Sequence, residues 1–203
     1  MRKELQLDTQ QKIFQAAQKV FVKRGLAGAR MQEIADEAGI NKSLLHYYFR
    51  TKEKLFDEIF EEAISLIAPK IVQLMISDLP LTEKIKGFVN EYIDALINHP
   101  HIPIFIFHEL STNPQLMTKL ILGKGVNPTI FIKQVKAEIK AGNIRDIQAE
   151  QLLVNIISLC IFPFIARPVI EGVVFKGNTK AVDTFLKVRK KEIYDFVMHS
   201  IKK

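Results

Sequence analysis

Between residues 30 and 48 stands a group of side chains suited to gripping a polyanion and reading a base edge. Arg30 and Lys42 carry positive charge, Gln32 and Ser43 can donate or accept, and Tyr47 and Tyr48 each offer a phenol hydroxyl. Leu44 supplies the apolar surface that a thymine methyl packs against, and His46 adds a ring nitrogen. Cations and hydroxyls bind phosphate and set register, whereas base-edge contacts carry sequence information. Lys42 and Ser43 suit either task. The chain contains no phosphate loop, nucleophile elbow or cluster of metal ligands, so no enzyme activity, cofactor or metal is expected.

These groups need a scaffold, and the intervening residues describe one. Ile34 and Ala38 face a core, and Ala35 is small enough for a second helix to cross closely. Gly39 supplies a left-handed backbone for a tight turn, with Ile40 plugging the space beneath it. Asn41 caps the next helix and Leu45 anchors it. This is a helix-turn-helix pattern. It leaves Lys42, Ser43, Leu44, His46, Tyr47 and Tyr48 facing outward or flanking a groove, with packing against the first helix as the other use of Tyr47. In such motifs the second helix enters the major groove by its N-terminal end.

The flanks are helical too. Ile13, Ala17, Val20 and Phe21 form a stripe that Asp8 or Thr9 can cap and Gly25 can stop. Thr51 can cap a stripe of Leu55, Ile59, Ala63, Ile67, Ile71 and Leu74, which Pro69 should kink or split. A short apolar piece runs from Ile102 to Leu110, and Asp146 can cap a helix reaching Ala166. Val173-Val174-Phe175 is the one strand-like piece. The pattern predicts an all-α chain of about nine helices.

The chain has 203 residues, 48% hydrophobic and 25% charged, with a net charge of +7. A globular protein with a substantial core is expected. Residues 1–55 hold eleven Lys/Arg against six Asp/Glu, and the rest is nearly balanced. Charge so concentrated fits a nucleic-acid partner or an anionic membrane. A second basic cluster, Lys187, Arg189, Lys190 and Lys191, reads as a solvated helix face. The single cysteine, Cys160, excludes an intramolecular disulfide and reads as an apolar filler, consistent with a reducing cytoplasm. No secretory signal is visible at the start. The most apolar stretch, 152–166, is shorter than the roughly 18–20 residues of a spanning helix and is interrupted by Asn155, Ser158 and Pro163. It reads as a buried or interface helix, and no membrane partner is expected.

Three segments together resemble the DNA-binding region of the TetR family of transcriptional regulators. They are Phe21-Val22-Lys23-Arg24-Gly25, Ile34-Ala35-Asp36-Glu37-Ala38-Gly39-Ile40, and Tyr47-Tyr48-Phe49-Arg50-Thr51-Lys52-Glu53-Lys54-Leu55-Phe56. The resemblance implies a three-helix head over 1–53 and a larger helical effector-binding and dimerisation domain over 54–203. Where the family usually begins its second helix with a capping Ser or Thr, this chain has Arg30 followed by Met31, which exchanges a cap for a cation beside the DNA backbone. His46 stands where the family often has Tyr. Lys52 resembles the family's phosphate-binding lysine at the start of the fourth helix.

The implied function is a cytoplasmic repressor, a homodimer on a palindromic operator, released by a small effector. Fourteen Phe and no Trp favour an apolar or aromatic effector. Candidate pocket residues are Phe88, Tyr92, Phe105, Phe107, Phe131, Phe162 and Phe164. His108 and Glu109 are placed either to bind a ligand's polar end or to satisfy each other or the backbone. The expected dimer surface comprises Leu152, Leu153, Ile156, Ile157, Leu159 and Cys160, with Phe185, Val188, Phe196 and Val197 of the last helix. The competing reading is a helical lipid carrier or membrane-surface protein whose basic face reads no sequence.

Overall fold

A computed structural model describes the backbone of residues 2–99, 102–112 and 114–203, and their side chains except those of 2–7, 109 and 116. Among the described residues every regular element is helical. The chain runs α1 (Arg2–Gly28), α2 (Met31–Ala38), α3 (Lys42–Tyr48), α4 (Lys52–Ile76), α5 (Leu81–Asn98), α6 (Ile102–Thr112), α7 (Pro114–Gly123), α8 (Pro128–Ala141), α9 (Ala149–Ile165), a three-residue turn α10 (Arg167–Val169) and α11 (Thr179–Ile201). The strand-like Val173-Val174-Phe175 is no strand: residues 170–174 form a single π turn.

Two compact units divide the chain, Met1–Ile64 with Pro100–Pro114, and Ser65–His99 with Gln115–Lys203. α4 begins in the first unit and ends in the second, and the piece carrying α6 joins the first.

In the first unit, α1 buries Ile13, Ala17, Val20 and Phe21, the stripe expected from their spacing. α1 starts well before Asp8, so Asp8 and Thr9 lie inside it rather than capping it. Gly25 interrupts the helix at φ 66°, ψ 172°, a region essentially reserved for glycine. No atom stands within 4 Å of where a Cβ would sit, so the restriction is in the backbone. Gly25→Ala is expected to cost about 1–3 kcal/mol, read as a lower urea midpoint. An unchanged midpoint would mean that the turn relaxes freely.

Thr51 accepts the Lys54 N–H at 3.2 Å and so caps α4. α4 then buries Leu55, Phe56, Ile59 and Phe60 completely. α6 contributes Ile102 and Phe105 to the same core. The rings of Phe56 and Phe105 meet edge to face at 4.3 Å, Phe21 meets Phe56 at 5.3 Å, and the His108 ring stands 4.9 Å from Phe56.

In the second unit, Ile67, Ala68, Ile71 and Met75 of α4 are buried, and of the kink or split expected at Pro69 the split does not occur, since α4 runs through it as one element. α5 packs on α9 and α11 through a stripe of Ile85, Val89, Ile93 and Leu96. Lys84 is almost fully buried, and its Nζ donates to the Met75 carbonyl at 2.7 Å. A cation suits that site because the carbonyl end of a helix is its negative pole. α9 turns Leu152, Ile156, Cys160 and Pro163 inward, and α11 turns in Val182, Leu186, Ile193, Val197 and Ile201. α9 begins at Ala149 behind Gln148, so Asp146 does not cap it.

Candidate functional site

The turn between α2 and α3 has the geometry its residues imply. Gly39 adopts φ 66°, ψ 30°, and its N–H closes α2 on the Asp36 carbonyl at 3.1 Å. The side chain of Asn41 accepts the Leu44 N–H at 2.8 Å and starts α3. Leu45, Ile34 and Ala35 have no exposed surface, so α3 is held from beneath. The opposite face of α3 presents Lys42, Ser43, Leu44, His46 and Tyr47 to solvent. Tyr47 is 74% exposed, which removes packing against α1 as its use. Tyr48 is half-buried, edge-on to Tyr47 at 5.6 Å. His46 donates from Nδ1 to the Arg50 carbonyl at 3.1 Å, leaving Nε2 for an outside partner.

Arg30 precedes α2 in an extended conformation and makes no side-chain cap bond, in keeping with the missing Ser or Thr. Its side chain is exposed, while Met31 is half-buried. Gln32 is exposed and donates to Asp36 at 2.8 Å. Lys19 to Glu37 (2.8 Å) and Arg24 to Glu33 (3.2 Å) tie α1 to α2 across the surface. The hydrogen bond from Lys19 holds the Glu37 carboxyl below its ordinary range. Lys52 does not stand free for a phosphate. Its Nζ donates to the carbonyls of Leu26 (2.8 Å), Ala27 (3.2 Å) and Ala29 (3.2 Å).

The second unit holds a cavity of about 270 Å³. Its walls come from Ile71 and Met75 of α4, Ile85 and Phe88 of α5, Ile121 of α7, Val126 to Pro128, Phe131 of α8, and Leu153, Ile156 and Ile157 of α9. Asn127 is the one polar wall residue, and its side chain is occupied capping α8 through the Thr129 N–H at 3.0 Å. On α9 and α11 a separate set of apolar side chains is exposed: Val154, Phe162, Val188 and Phe196. Phe162 and Phe196 flank a groove with Asn155, Ser158, Leu159 and Arg189. Arg189 donates to the Leu159 carbonyl at 3.1 Å and lies over the Phe185 ring, with its Nε buried and unpaired. No single helix among the described residues is long and apolar enough to cross a membrane.

Residues 13–59 match the model of the bacterial regulatory proteins of the tetR family, a span that begins on the α1 stripe and ends in α4. By this segment the chain is similar to the tetR family. The HTH-type transcriptional repressor SCO4008 of Streptomyces coelicolor is 34% identical to this chain over 101 residues, 50% of the chain and 49% of the relative. The chain spans about half the length of the first curated relatives it matches. Its fold is similar to that of the putative transcriptional regulator SCO4942 from Streptomyces coelicolor, at TM-score 0.66 and 20% identity over 95% of this chain and 98% of the other. The transcriptional regulator FadR from Bacillus subtilis, solved in complex with stearoyl-CoA, aligns at TM-score 0.64 and 17% identity over 92% and 96% of the two chains.

Several expected site residues lie elsewhere in the fold. Of the expected pocket set, Phe88 and Phe131 line the cavity. Tyr92 stacks on Phe88 at 5.4 Å, and burial raises its hydroxyl pKa, but it is not a wall residue. Phe105 and His108 belong to the first unit's aromatic core, Phe107 is 58% exposed, and Phe162 lies on the outer face of α9. Phe164 is half-buried near the end of α9 and is not on the cavity wall. The Glu109 side chain lies outside the described residues. Of the expected dimer set, Leu152, Cys160 and Val197 are buried in their own protomer, and Leu153, Ile156 and Ile157 line the cavity. Leu159 and Phe185 are half-buried, while Val188 and Phe196 are exposed. Val154 was not anticipated. Burial pushes the Cys160 thiol up to about 12, which suits a filler. The second basic cluster is not a purely solvated face: Arg189 and Lys190 are half-buried, and Lys190 pairs with Asp94.

Proposed function

We propose that this chain is a ligand-responsive transcriptional repressor that binds a palindromic operator as a homodimer and is released by a small apolar or aromatic effector. The observation that carries it is the exposed row Lys42, Ser43, Leu44, His46 and Tyr47 on a helix mounted by Gly39, Asn41 and Leu45. That row enters the major groove, Arg30 and Tyr48 hold adjacent phosphates, and Met31 and Gln32 flank the backbone. Residues 1–53 do the reading, and residues 54–203 sense and dimerise. The protein acts in the cytoplasm by binding rather than by catalysis.

The cavity favours an effector whose buried part is hydrocarbon, since a charged group there would meet no partner on its walls. The acyl-CoA bound by the Bacillus subtilis neighbour is in keeping with such a ligand. Val154, Phe162, Val188 and Phe196 suit an isologous interface, because burying them against a second copy removes apolar surface that the protomer leaves in water. An effector that prefers a different separation of the two heads lowers operator affinity by its differential affinity for the two states. Sedimentation tests this reading. The protein is expected to travel as a dimer and to bind one duplex, selected from a random pool, per dimer. A monomer that binds one protomer per site would contradict it.

A further inference from the structure

Lys52 occupies the first position of α4, where a cation is disfavoured by the helix dipole. The structure offsets this by directing the ammonium to the end of α1. An ammonium has three protons, and three carbonyl oxygens accept them, those of Leu26, Ala27 and Ala29. The acceptors belong to the last turn of α1, past the Gly25 break, and to Ala29 just beyond it, where the final carbonyls of a helix lack partners within it. The last of them, Ala29, is bonded directly to Arg30, and the Arg30 carbonyl accepts the Ile34 N–H at 3.1 Å as α2 begins. No side-chain cap steadies that start. Lys52 instead holds the turn before that start, through the turn's carbonyls.

We propose that Lys52 is a positioning residue of the reading head: by gathering the carbonyls of Leu26, Ala27 and Ala29 it sets where Arg30 meets a DNA phosphate, and it makes no phosphate contact itself. The inference rests on the DNA-binding reading and concerns how the head is held. Chemistry separates it from the alternative. A phosphate contact asks only for positive charge, so arginine would serve. The three-carbonyl cradle asks for a compact ammonium, which a planar guanidinium does not reproduce.

The test uses the full chain with a duplex selected from a random pool, and compares wild type, Lys52→Met, Lys52→Arg, Arg30→Ala and the double variant Lys52→Met with Arg30→Ala. Affinity is measured against salt, and each free protein is checked by melting. Lys52→Met and Lys52→Arg are both expected to weaken binding by roughly tenfold. The slope of log affinity against log salt should fall by about 0.9 in Lys52→Met and in Lys52→Arg alike, because the misplaced Arg30 loses its phosphate. In the Arg30→Ala background, Lys52→Met should add less than about a twofold loss, because the residue it positions is gone. A role in overall stability alone would leave the two losses multiplicative, and that result overturns the proposal. So does wild-type affinity in Lys52→Arg, or a slope reduced by about 0.9 when Lys52→Met is made in the Arg30→Ala background, the mark of one lost phosphate contact. If wild-type protein selects no sequence, the DNA-binding reading itself fails. The carbonyl cradle is then still tested by amide exchange over residues 29–32, which should be faster in Lys52→Met than in wild type.

Discussion

Alanine at both Lys42 and Tyr47 is expected to abolish specific operator binding while leaving the protein folded. The two side chains stand on the outer face of α3, and Tyr47 is 74% exposed. Exposed substitutions away from caps and cores usually change stability by within about 0.5 kcal/mol. A good contact to DNA is worth about 1–3 kcal/mol, so the pair should cost roughly 10²–10⁴-fold in affinity. Fluorescence anisotropy with a selected duplex measures the loss, and calorimetric melting of the free protein measures the fold. Wild-type affinity in both single variants would remove α3 from the DNA interface. A collapse of the melting transition would place Tyr47 in the packing instead.

The largest stability effect is expected at Phe56. Its side chain has no exposed surface and meets the rings of Phe21, Phe105 and His108, from α1 and α6. Phe56→Ala should cost about 3–5 kcal/mol, the transfer of a large ring plus the cavity it leaves. That is a large share of the roughly 5–15 kcal/mol that stabilises a typical domain. Phe107→Ala, two positions from Phe105 on the same helix but 58% exposed, is the matched control and should change little. Urea denaturation of both variants decides. Equal midpoints would mean that the Phe21–Phe56–Phe105 cluster is not the core of the first unit.

The reading head was legible because its signals are local. Gly39, Asn41 and Leu45 act on backbone within a few residues of themselves, so residue type and spacing suffice to place them. The second unit was less so. α9 is apolar on nearly every side, and periodicity alone does not say which side meets the protomer's own core. Packing on α5, α8 and α11 makes that choice: Leu152, Ile156 and Cys160 turn in, and Val154 and Phe162 turn out. Phe105 and His108 were misplaced for a related reason. Their segment follows α5 in sequence but joins the first unit, and no local pattern records that return. The bonds of Lys52 reach back 23 to 26 residues, and its three carbonyl partners are invisible without the fold. Lys84 was hidden by its type, since lysine is seldom buried without a partner and its partner here is a helix end.

The most direct test of sequence-specific recognition is selection of bound sites from random duplex DNA with the purified full chain at about 150 mM salt, near physiological ionic strength. A palindromic consensus is expected, with half-sites spaced for two α3 helices related by a two-fold axis. Binding that yields no consensus and falls steeply with salt would contradict it. Phosphate attraction alone would then account for the basic head, and the row on α3 would read nothing.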